Sequence, residues 1–287
     1  MLLEPQILER LDRLSLKIRE RTAGSNPGEH RSRRLGSSVD FADWRPYVEG
    51  DDFRRIDFGI YARLDRLVIR LYEAEEELNV RIVVDASASM GFEEKLPAAL
   101  RLAGAIAYLA AARHDRARVW VSNQDGISPG PWARSREGAF HLHRWLETVT
   151  AGGESNLANG LKRMAAAGGL PGLTIVISDL LSEDWETVVR RLGGPGAESA
   201  VLQVLARSEL DPSLRGDLLL VDSETGEAVE VSMSDQVLRQ YRARAVKFVA
   251  GVAEACRSRG IRYSLVSPGD DLEKLLMTDL RLQGLVR

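Results

Sequence analysis

The chain has 287 residues, of which 44% are hydrophobic and 28% charged, a composition that excludes wholesale disorder. Its formal net charge of −3 argues against a protein built mainly to hold nucleic acid. The single cysteine, Cys256, cannot form an internal disulfide, and its apolar helical setting indicates a core residue. Without a signal segment or a run of about eighteen apolar residues, the sequence predicts a soluble, cytoplasmic protein with no membrane insertion.

Residues 1–75 are predicted to form an N-terminal lobe in three parts. Apolar residues recur at helical spacing in residues 1–23, which predicts an amphipathic helix: Leu8, Leu11, Leu14 and Ile18. Residues 25–40 are polar and basic and indicate a loop, and without an aromatic stacking platform its arginines do not predict a nucleic-acid site. Residues 41–75 mix aromatic side chains with both signs of charge and end in a strand pattern.

Residues 76–287 are predicted to form a second domain, in which strand and helix patterns alternate. Continuous apolar strands such as NVRIVVD (79–85) and LTIVISDL (173–180) are separated by helices such as the alanine-rich segment 95–113. This order predicts an α/β fold with a doubly wound, mostly parallel sheet covered on both faces. The segment 217–232 alternates around a Thr-Gly turn and predicts a β-hairpin inserted between these units.

Oxygen-bearing side chains follow the carboxyl ends of two predicted strands, where ligands bind in open parallel sheets. Asp85 ends the first strand and Asp179 ends a later one, while Ser155 follows a glycine pair that opens a helix near the same edge. Five side chains are therefore expected to converge: Asp85, Ser87, Ser89, Ser155 and Asp179. Hard oxygen ligands with few charges suit Mg²⁺ (or Mn²⁺) rather than zinc or copper.

The D-x-S-x-S run of Asp85, Ser87 and Ser89 resembles the metal-ion-dependent adhesion site of von Willebrand factor A domains. In that family a distant Thr or Ser completes the set, and the last Asp often acts from further away. A serine replaces the usual threonine here, and the glycine pair lies one residue further away, so Ser155 and Asn156 are both candidates for that ligand. The resemblance implies a von Willebrand factor A-like domain whose metal binds an acidic side chain of a partner.

The charged segment before this domain is similar to the signature of a bacterial family, domain-of-unknown-function family 58. Eleven residues fill its places: Tyr47, Gly50, Asp51, Asp52, Arg55, Ile56, Asp57, Phe58, Ala62, Arg63 and Glu73. Phe58 departs from the commoner tryptophan, and the hairpin also resembles this family, so the likeness covers nearly the whole chain. It implies a non-catalytic partner of a MoxR-type AAA+ ATPase, acting in chaperone-like assembly or metal insertion.

Several alternatives remain open for the same residues. A metal-dependent phosphoester hydrolase would need a general base near the metal, and Glu154 is the candidate. A phosphoryl-accepting Asp85 would need a second acid and a lysine nearby, and its neighbours Ala86 and Ser87 offer no acid. The D-x-S-x-S run could also be a capped turn, which would leave a structural scaffold with an empty site.

The acidic and basic residues of the lobe are predicted to form a buried network with a structural role. Arg55 and Arg63 are expected to hold Asp51, Asp52 or Asp57 through paired hydrogen bonds, because the aromatic side chains between them must pack.

Overall fold

The computed structural model describes residues 3, 5–12, 14, 16, 41–72, 78–166, 172–193 and 198–286. The chain divides into two compact units, a lobe (Thr22–Glu77) and a sheet unit (Met1–Arg21 with Leu78–Arg287). The predicted basic loop 25–40 and Ile18 lie outside the described residues.

Ten strands and ten α-helices form in the described parts of the chain. The strands are β1 (Phe41–Pro46), β2 (Val68–Tyr72), β3 (Asn79–Asp85), β4 (Arg116–Asn123), β5 (Gly126–Ala133), β6 (Gly172–Ser178), β7 (Glu198–Val204), β8 (Gly216–Val221), β9 (Ala228–Met233) and β10 (Arg262–Val266). The helices are α1 (Pro5–Leu11), α2 (Phe58–Leu64), α3 (Lys95–Ala112), α4 (Arg136–Leu146), α5 (Leu157–Ala166), α6 (Trp185–Leu192), α7 (Arg207–Leu210), α8 (Asp235–Arg257), α9 (Leu272–Lys274) and α10 (Leu280–Leu282).

The sheet unit is built on a six-stranded sheet in the order β10-β7-β6-β3-β4-β5, in which β5 alone runs antiparallel to its neighbour. Ile82 and Val84 of β3 belong to a core cluster shared with α3 and α4. Val83, between them, belongs to a second cluster with α5, α6 and α8, in which Cys256 is fully buried. Because successive strand residues face opposite sides, both faces of the sheet are covered. The predicted doubly wound, mostly parallel α/β fold is confirmed.

Three elements differ from the sequence prediction. Strand β5 was not predicted because it carries Pro129 and Pro131, which an edge strand tolerates and a central strand does not. The first helix, α1, ends at Leu11, and Leu16 then forms a β-bridge with Val286, so the predicted helix over 1–23 is too long. The sequence of residues 270–285 predicts one closing helix, which in the structure is broken into α9, a π-helical turn (Leu275–Asp279) and α10.

Helix α1 packs with the sheet unit rather than with the lobe. Leu8, Leu11 and Leu14 lie in the same core cluster as the residues of α3, and the Tyr108 hydroxyl donates to Asp12 over 3.1 Å. A boundary between residues 75 and 76 would place α1 in the same domain as the lobe. In the structure, burial of the apolar face of α1 joins this helix to the sheet unit instead.

One helical segment, Ala88–Ala112, is long and apolar enough by length and composition to cross a membrane, among the residues described. However, 83% of its most apolar window is buried inside the protein, against the sheet and α4. Its apolar character is that of a core helix enclosed by the fold.

The lobe contains the antiparallel pair β1–β2, and Asp57 connects these strands to α2. Asp57 accepts hydrogen bonds from the backbone N–H groups of Gly59 (3.0 Å) and Ile60 (3.2 Å), and so caps α2. It also accepts from Trp44 Nε1 (3.1 Å) and Arg70 Nε (2.9 Å). These bonds tie the start of α2 to both strands.

The predicted pairing of Arg55 and Arg63 with the lobe's aspartates is wrong. Arg63 Nε donates to the Gly59 carbonyl, and Arg55 Nη1 is buried without a hydrogen-bond partner among the described residues. Asp51 is instead held by both terminal nitrogens of Arg45, at 2.6 and 2.7 Å. The strands supply the arginines, in two separate pairs, Arg45–Asp51 and Arg70–Asp57, and their arginine side chains are 41% and 47% exposed, so the predicted buried network does not form.

Acidification is expected to weaken the lobe through Asp57. The Arg70 guanidinium, followed by the Trp44 indole, holds the pKa of this carboxyl well below its usual range. A carboxyl group whose pKa is lower in the folded state contributes stability above its unfolded pKa, near about 4, and this stability is lost as the pH falls further. Unfolding of wild type and Asp57→Asn between about pH 3 and pH 7 measures this dependence, which should be weaker in the variant. Asp52→Asn is the control, because the Asp52 carboxylate accepts one backbone hydrogen bond, from Arg54, and the variant removes its charge while it keeps an oxygen acceptor; equal pH dependence in wild type and Asp57→Asn would contradict the assignment.

Candidate functional site

Two neighbouring strands bring the predicted residues to one edge of the sheet. Asp85 is the last residue of β3 and Ser178 the last of β6, and these strands pair in parallel register up to Val84 and Ile177. The chain builds the sheet outward from β3 in one direction through β4 and in the other through β6. The pair therefore marks the topological switch point, where α/β sheets open a crevice for ligands.

The Asp85 carboxylate is the centre of the site. Its Oδ1 accepts from the Ser87 backbone N–H at 3.0 Å, and its Oδ2 accepts from the hydroxyls of Ser155 (3.0 Å) and Ser178 (2.8 Å). The hydroxyl oxygens of Ser87 and Ser89 lie 3.1 Å apart. The structure thus brings together four of the five predicted residues, Asp85, Ser87, Ser89 and Ser155.

The loop that carries Ser155 is fixed to the loop after β3 by backbone hydrogen bonds. Ala88 N donates to the Gly153 carbonyl (2.8 Å), and Gly152 N donates to the Ala86 carbonyl (2.9 Å). Gly153 has φ of +70°, and a Cβ there would lie 2.2 Å from Gln124 Oε1, so this position requires glycine.

Of the two candidates for the distant ligand, the structure directs Ser155 toward Asp85. The Asn156 side chain turns away and donates to the Gln124 carbonyl over 3.5 Å. Ser155 is therefore the hydroxyl donor that the local backbone presents to the site.

Asp179 lies beside this cluster, but its carboxylate is held by other partners. Its Oδ2 accepts from Lys95 Nζ at 2.8 Å and its Oδ1 from the Leu181 N–H at 3.2 Å. Lys95 has no exposed surface and also donates to Glu209 Oε1 at 2.6 Å. Asp179 thus acts on the site through its charge. Within the described residues, no group of three or more His, Cys, Asp or Glu side chains is arranged to hold a metal ion.

The electrostatics of the site fit a hard cation. Burial, and then the nearby charge of Asp179, raise the pKa of Asp85 to about 6, against the opposing hydrogen bonds from Ser178 and Ser87. Asp85 is 1% exposed and forms no ion pair with a Lys, Arg or His in the described part of the chain. A carboxylate surrounded by hydroxyl oxygens and lacking a cationic neighbour is the donor set that Mg²⁺ or Mn²⁺ prefers.

Four polar residues at this edge were missed from the sequence: Lys95, Ser178, Glu209 and Glu224. Ser178 directly precedes the predicted Asp179, so the strand end itself was the available signal. Lys95 follows two glutamates, and such a charge run usually marks a solvated surface. Glu224, in the turn between β8 and β9, lies against the Ser89 side chain and the Ser155 backbone.

The two catalytic alternatives differ in what the described structure offers them. Glu154 is exposed, and no hydrogen bond joins it to Asp85, Ser87 or Ser89 in the described structure. Asp179 and the buried Lys95 are the acid and the lysine that phosphoryl transfer to Asp85 would need nearby, but this lysine is paired with Asp179 and Glu209. The arrangement can hold a cation and present it to a ligand.

Fold and site together define a mostly parallel α/β domain with a buried carboxylate and serine hydroxyls at its switch point. Among solved structures, the chain is similar to the conserved hypothetical protein BatB from Bacteroides thetaiotaomicron, with 15% identity, a TM-score of 0.42, and coverage of 72% of this chain and 98% of that one. It is also similar to a von Willebrand factor type A protein from Catenulispora acidiphila, with 11% identity, a TM-score of 0.41, and coverage of 76% and 43%.

The family model described as "Protein of unknown function DUF58" matches residues 43–249. The protein belongs to the DUF58 family, as the resemblance of its charged segment predicted. A relative in Mycobacterium tuberculosis (strain ATCC 25618 / H37Rv), the uncharacterized protein Rv1480, is 27% identical over 268 residues, which are 90% of this chain and 83% of that protein.

Proposed function

We propose that this protein is a non-catalytic, divalent-metal-dependent module that binds another protein. The observation that carries the proposal is the buried Asp85 carboxylate, which is surrounded by serine hydroxyls and forms no ion pair with a cationic side chain among the residues that the structure describes. A bound cation would relieve the cost of burying this charge. Its remaining coordination positions would be open to an acidic side chain of the partner.

Asp85, Ser87, Ser89 and Ser155 would hold the cation, and Mg²⁺ or Mn²⁺ fits their hard oxygens. When bound, the cation supplies a positive charge that a carboxylate can ligate. Asp179 adds negative charge near it, while Lys95 keeps that carboxylate oriented. A partner residue binds strongly only when it is placed at the metal, so this contact contributes specificity as well as affinity.

The partner in this proposal is a MoxR-type AAA+ ATPase, and the process is chaperone-like assembly or metal insertion for a third protein. The support is the DUF58 signature and the family membership of the chain. We place the interaction in the cytoplasm, where ATP is available, and the burial of the apolar helix α3 within the fold is consistent with this placement.

The test is binding of the purified chain to a MoxR-type ATPase of the same host, measured by biolayer interferometry with Mg²⁺ or with EDTA. Wild type should bind with Mg²⁺ and lose binding in EDTA. Because EDTA also affects the ATPase, the double variant Ser87→Ala/Ser89→Ala is measured in Mg²⁺ and should bind at least about tenfold more weakly, a loss of about 1.4 kcal/mol.

The matched control is Ser258→Ala, at an exposed hydroxyl after α8, which should bind as wild type does. Equal binding by the double variant and this control would contradict a metal-dependent contact.

A further inference from the structure

The hairpin formed by β8 and β9 extends to the candidate site from a distant part of the sequence. Its two strands pair with each other and with no other strand of the described residues. Isolated two-stranded hairpins are marginally stable in water, so such an insert needs a contact elsewhere to fix its position.

The turn of this hairpin is well ordered by its own hydrogen bonds. The Asp222 carboxylate accepts from the N–H groups of Glu224 (2.8 Å) and Thr225 (2.9 Å), and Gly226 adopts a φ of +75° that closes the turn. These bonds fix the backbone at Glu224 and thereby define where its side chain projects.

Glu224 is the turn residue that meets the site. It is partly buried, whereas Ser223 and Thr225 on either side are exposed. Its carboxylate lies against the Ser89 side chain and the Ser155 backbone. The hairpin therefore places a second carboxylate next to the same hydroxyl-bearing residues that surround Asp85.

Glu224 and Asp85 share these neighbours, yet in the described part of the chain neither forms an ion pair with a Lys, Arg or His. Glu224 is partly buried, and the negative charges of Asp179 and Asp222 act on it. Two carboxylates brought to one set of hydroxyls repel each other, and a cation between them would compensate both charges.

We propose that Glu224 is an internal ligand of the metal site, which takes the coordination position that an acidic side chain of a partner would otherwise fill. The inference rests on the proposed function and adds a residue and a form of regulation to it. Because Glu224 is tethered, its effective concentration at the metal is high. A partner carboxylate therefore reaches the metal only when the hairpin moves away.

The test measures Mn²⁺ binding to the full chain by electron paramagnetic resonance, with wild type, Glu224→Gln, Glu227→Gln and Asp85→Ala. Glu227 lies in the same turn with an exposed side chain and is the matched control. We expect Glu224→Gln to weaken Mn²⁺ binding about tenfold, Glu227→Gln to leave it unchanged and Asp85→Ala to abolish it. Hydrogen exchange supplies a second readout: Mn²⁺ should slow exchange of the amides in 217–232 in wild type and in Glu227→Gln, but not in Glu224→Gln.

The outcomes distinguish a failure of the internal ligand from a failure of the proposed function. Equal Mn²⁺ affinity in wild type and Glu224→Gln, with binding still lost in Asp85→Ala, overturns the internal ligand and leaves the proposed function intact. Wild type that binds no Mn²⁺, or binding that survives Asp85→Ala, overturns the proposed function and this inference with it. Circular dichroism of each variant verifies that it is folded.

Discussion

Replacing Lys95 with methionine is expected to lower the free energy of unfolding by roughly 3–5 kcal/mol. The Lys95 ammonium group has no exposed surface and donates to Asp179 and to Glu209, whose side chains are 3% and 17% exposed. Methionine preserves most of the volume of the side chain but leaves two carboxylates without their cation in a site from which water is largely excluded. Losing one partner of a buried ion pair is costly for this reason. Urea denaturation of wild type and variant measures the loss.

The control is Lys162→Met on α5, an exposed lysine, for which we expect a change within about 0.5 kcal/mol. A double variant, Lys95→Met/Asp179→Asn, removes one of the two unpaired charges and should recover part of the stability. If Lys95→Met and Lys162→Met unfold at the same urea concentration, Lys95 does not have the structural role assigned to it.

Replacing Asp85 with alanine should abolish Mg²⁺ binding, because it removes the buried carboxylate that accepts from the Ser87 N–H and the Ser155 hydroxyl. The isosteric Asp85→Asn keeps an oxygen acceptor for Ser155 and Ser178 but removes the charge, and should weaken binding on the order of 100-fold, or about 2.8 kcal/mol. Titration calorimetry with Mg²⁺ measures both changes.

The metal-free Asp85→Asn variant should be at least as stable as the metal-free wild type, because the buried carboxylate that it lacks has no cationic neighbour among the described residues. Asp125→Asn, in the exposed turn between β4 and β5, is the control for both measurements. Identical heats in wild type and Asp85→Asn would show that Mg²⁺ binds elsewhere or not at all.

The sheet could be predicted from the sequence because its strands are continuous apolar runs of fixed length, and their ends locate Asp85 and Asp179. Strand β5 could not, since its two prolines suit only a position at the sheet edge, and edge position is a property of the whole sheet. The contacts within the lobe could not be predicted either, because they depend on how its two strands pair. Trp44 and Arg70 face each other across β1 and β2, and this register brings both to Asp57.

In the candidate site, the positions of the hydroxyl-bearing residues were sufficient to predict that four residues lie together around Asp85. Strand ends and a glycine turn can both be recognised from the local sequence. Lys95 and Glu224 gave no such signal. Charged residues are almost never fully buried unless they are paired, so a lysine after two glutamates indicates the surface. A glutamate in a hairpin turn also indicates the surface. Their roles depend on contacts between residues far apart in sequence, Lys95 with Glu209 and Glu224 with Ser89.

Gly216, the first residue of β8, pairs with Met233, the last residue of β9, so the chain enters and leaves the hairpin at one point. Such an insert can be exchanged for another of different length or sequence without altering the register of the central strands. The tip can thus diverge among family members while the core remains the same. Grafting the hairpin of one member onto another would transfer its tip residue as a separable part, and the hydroxyl-bearing loops would stay with the recipient.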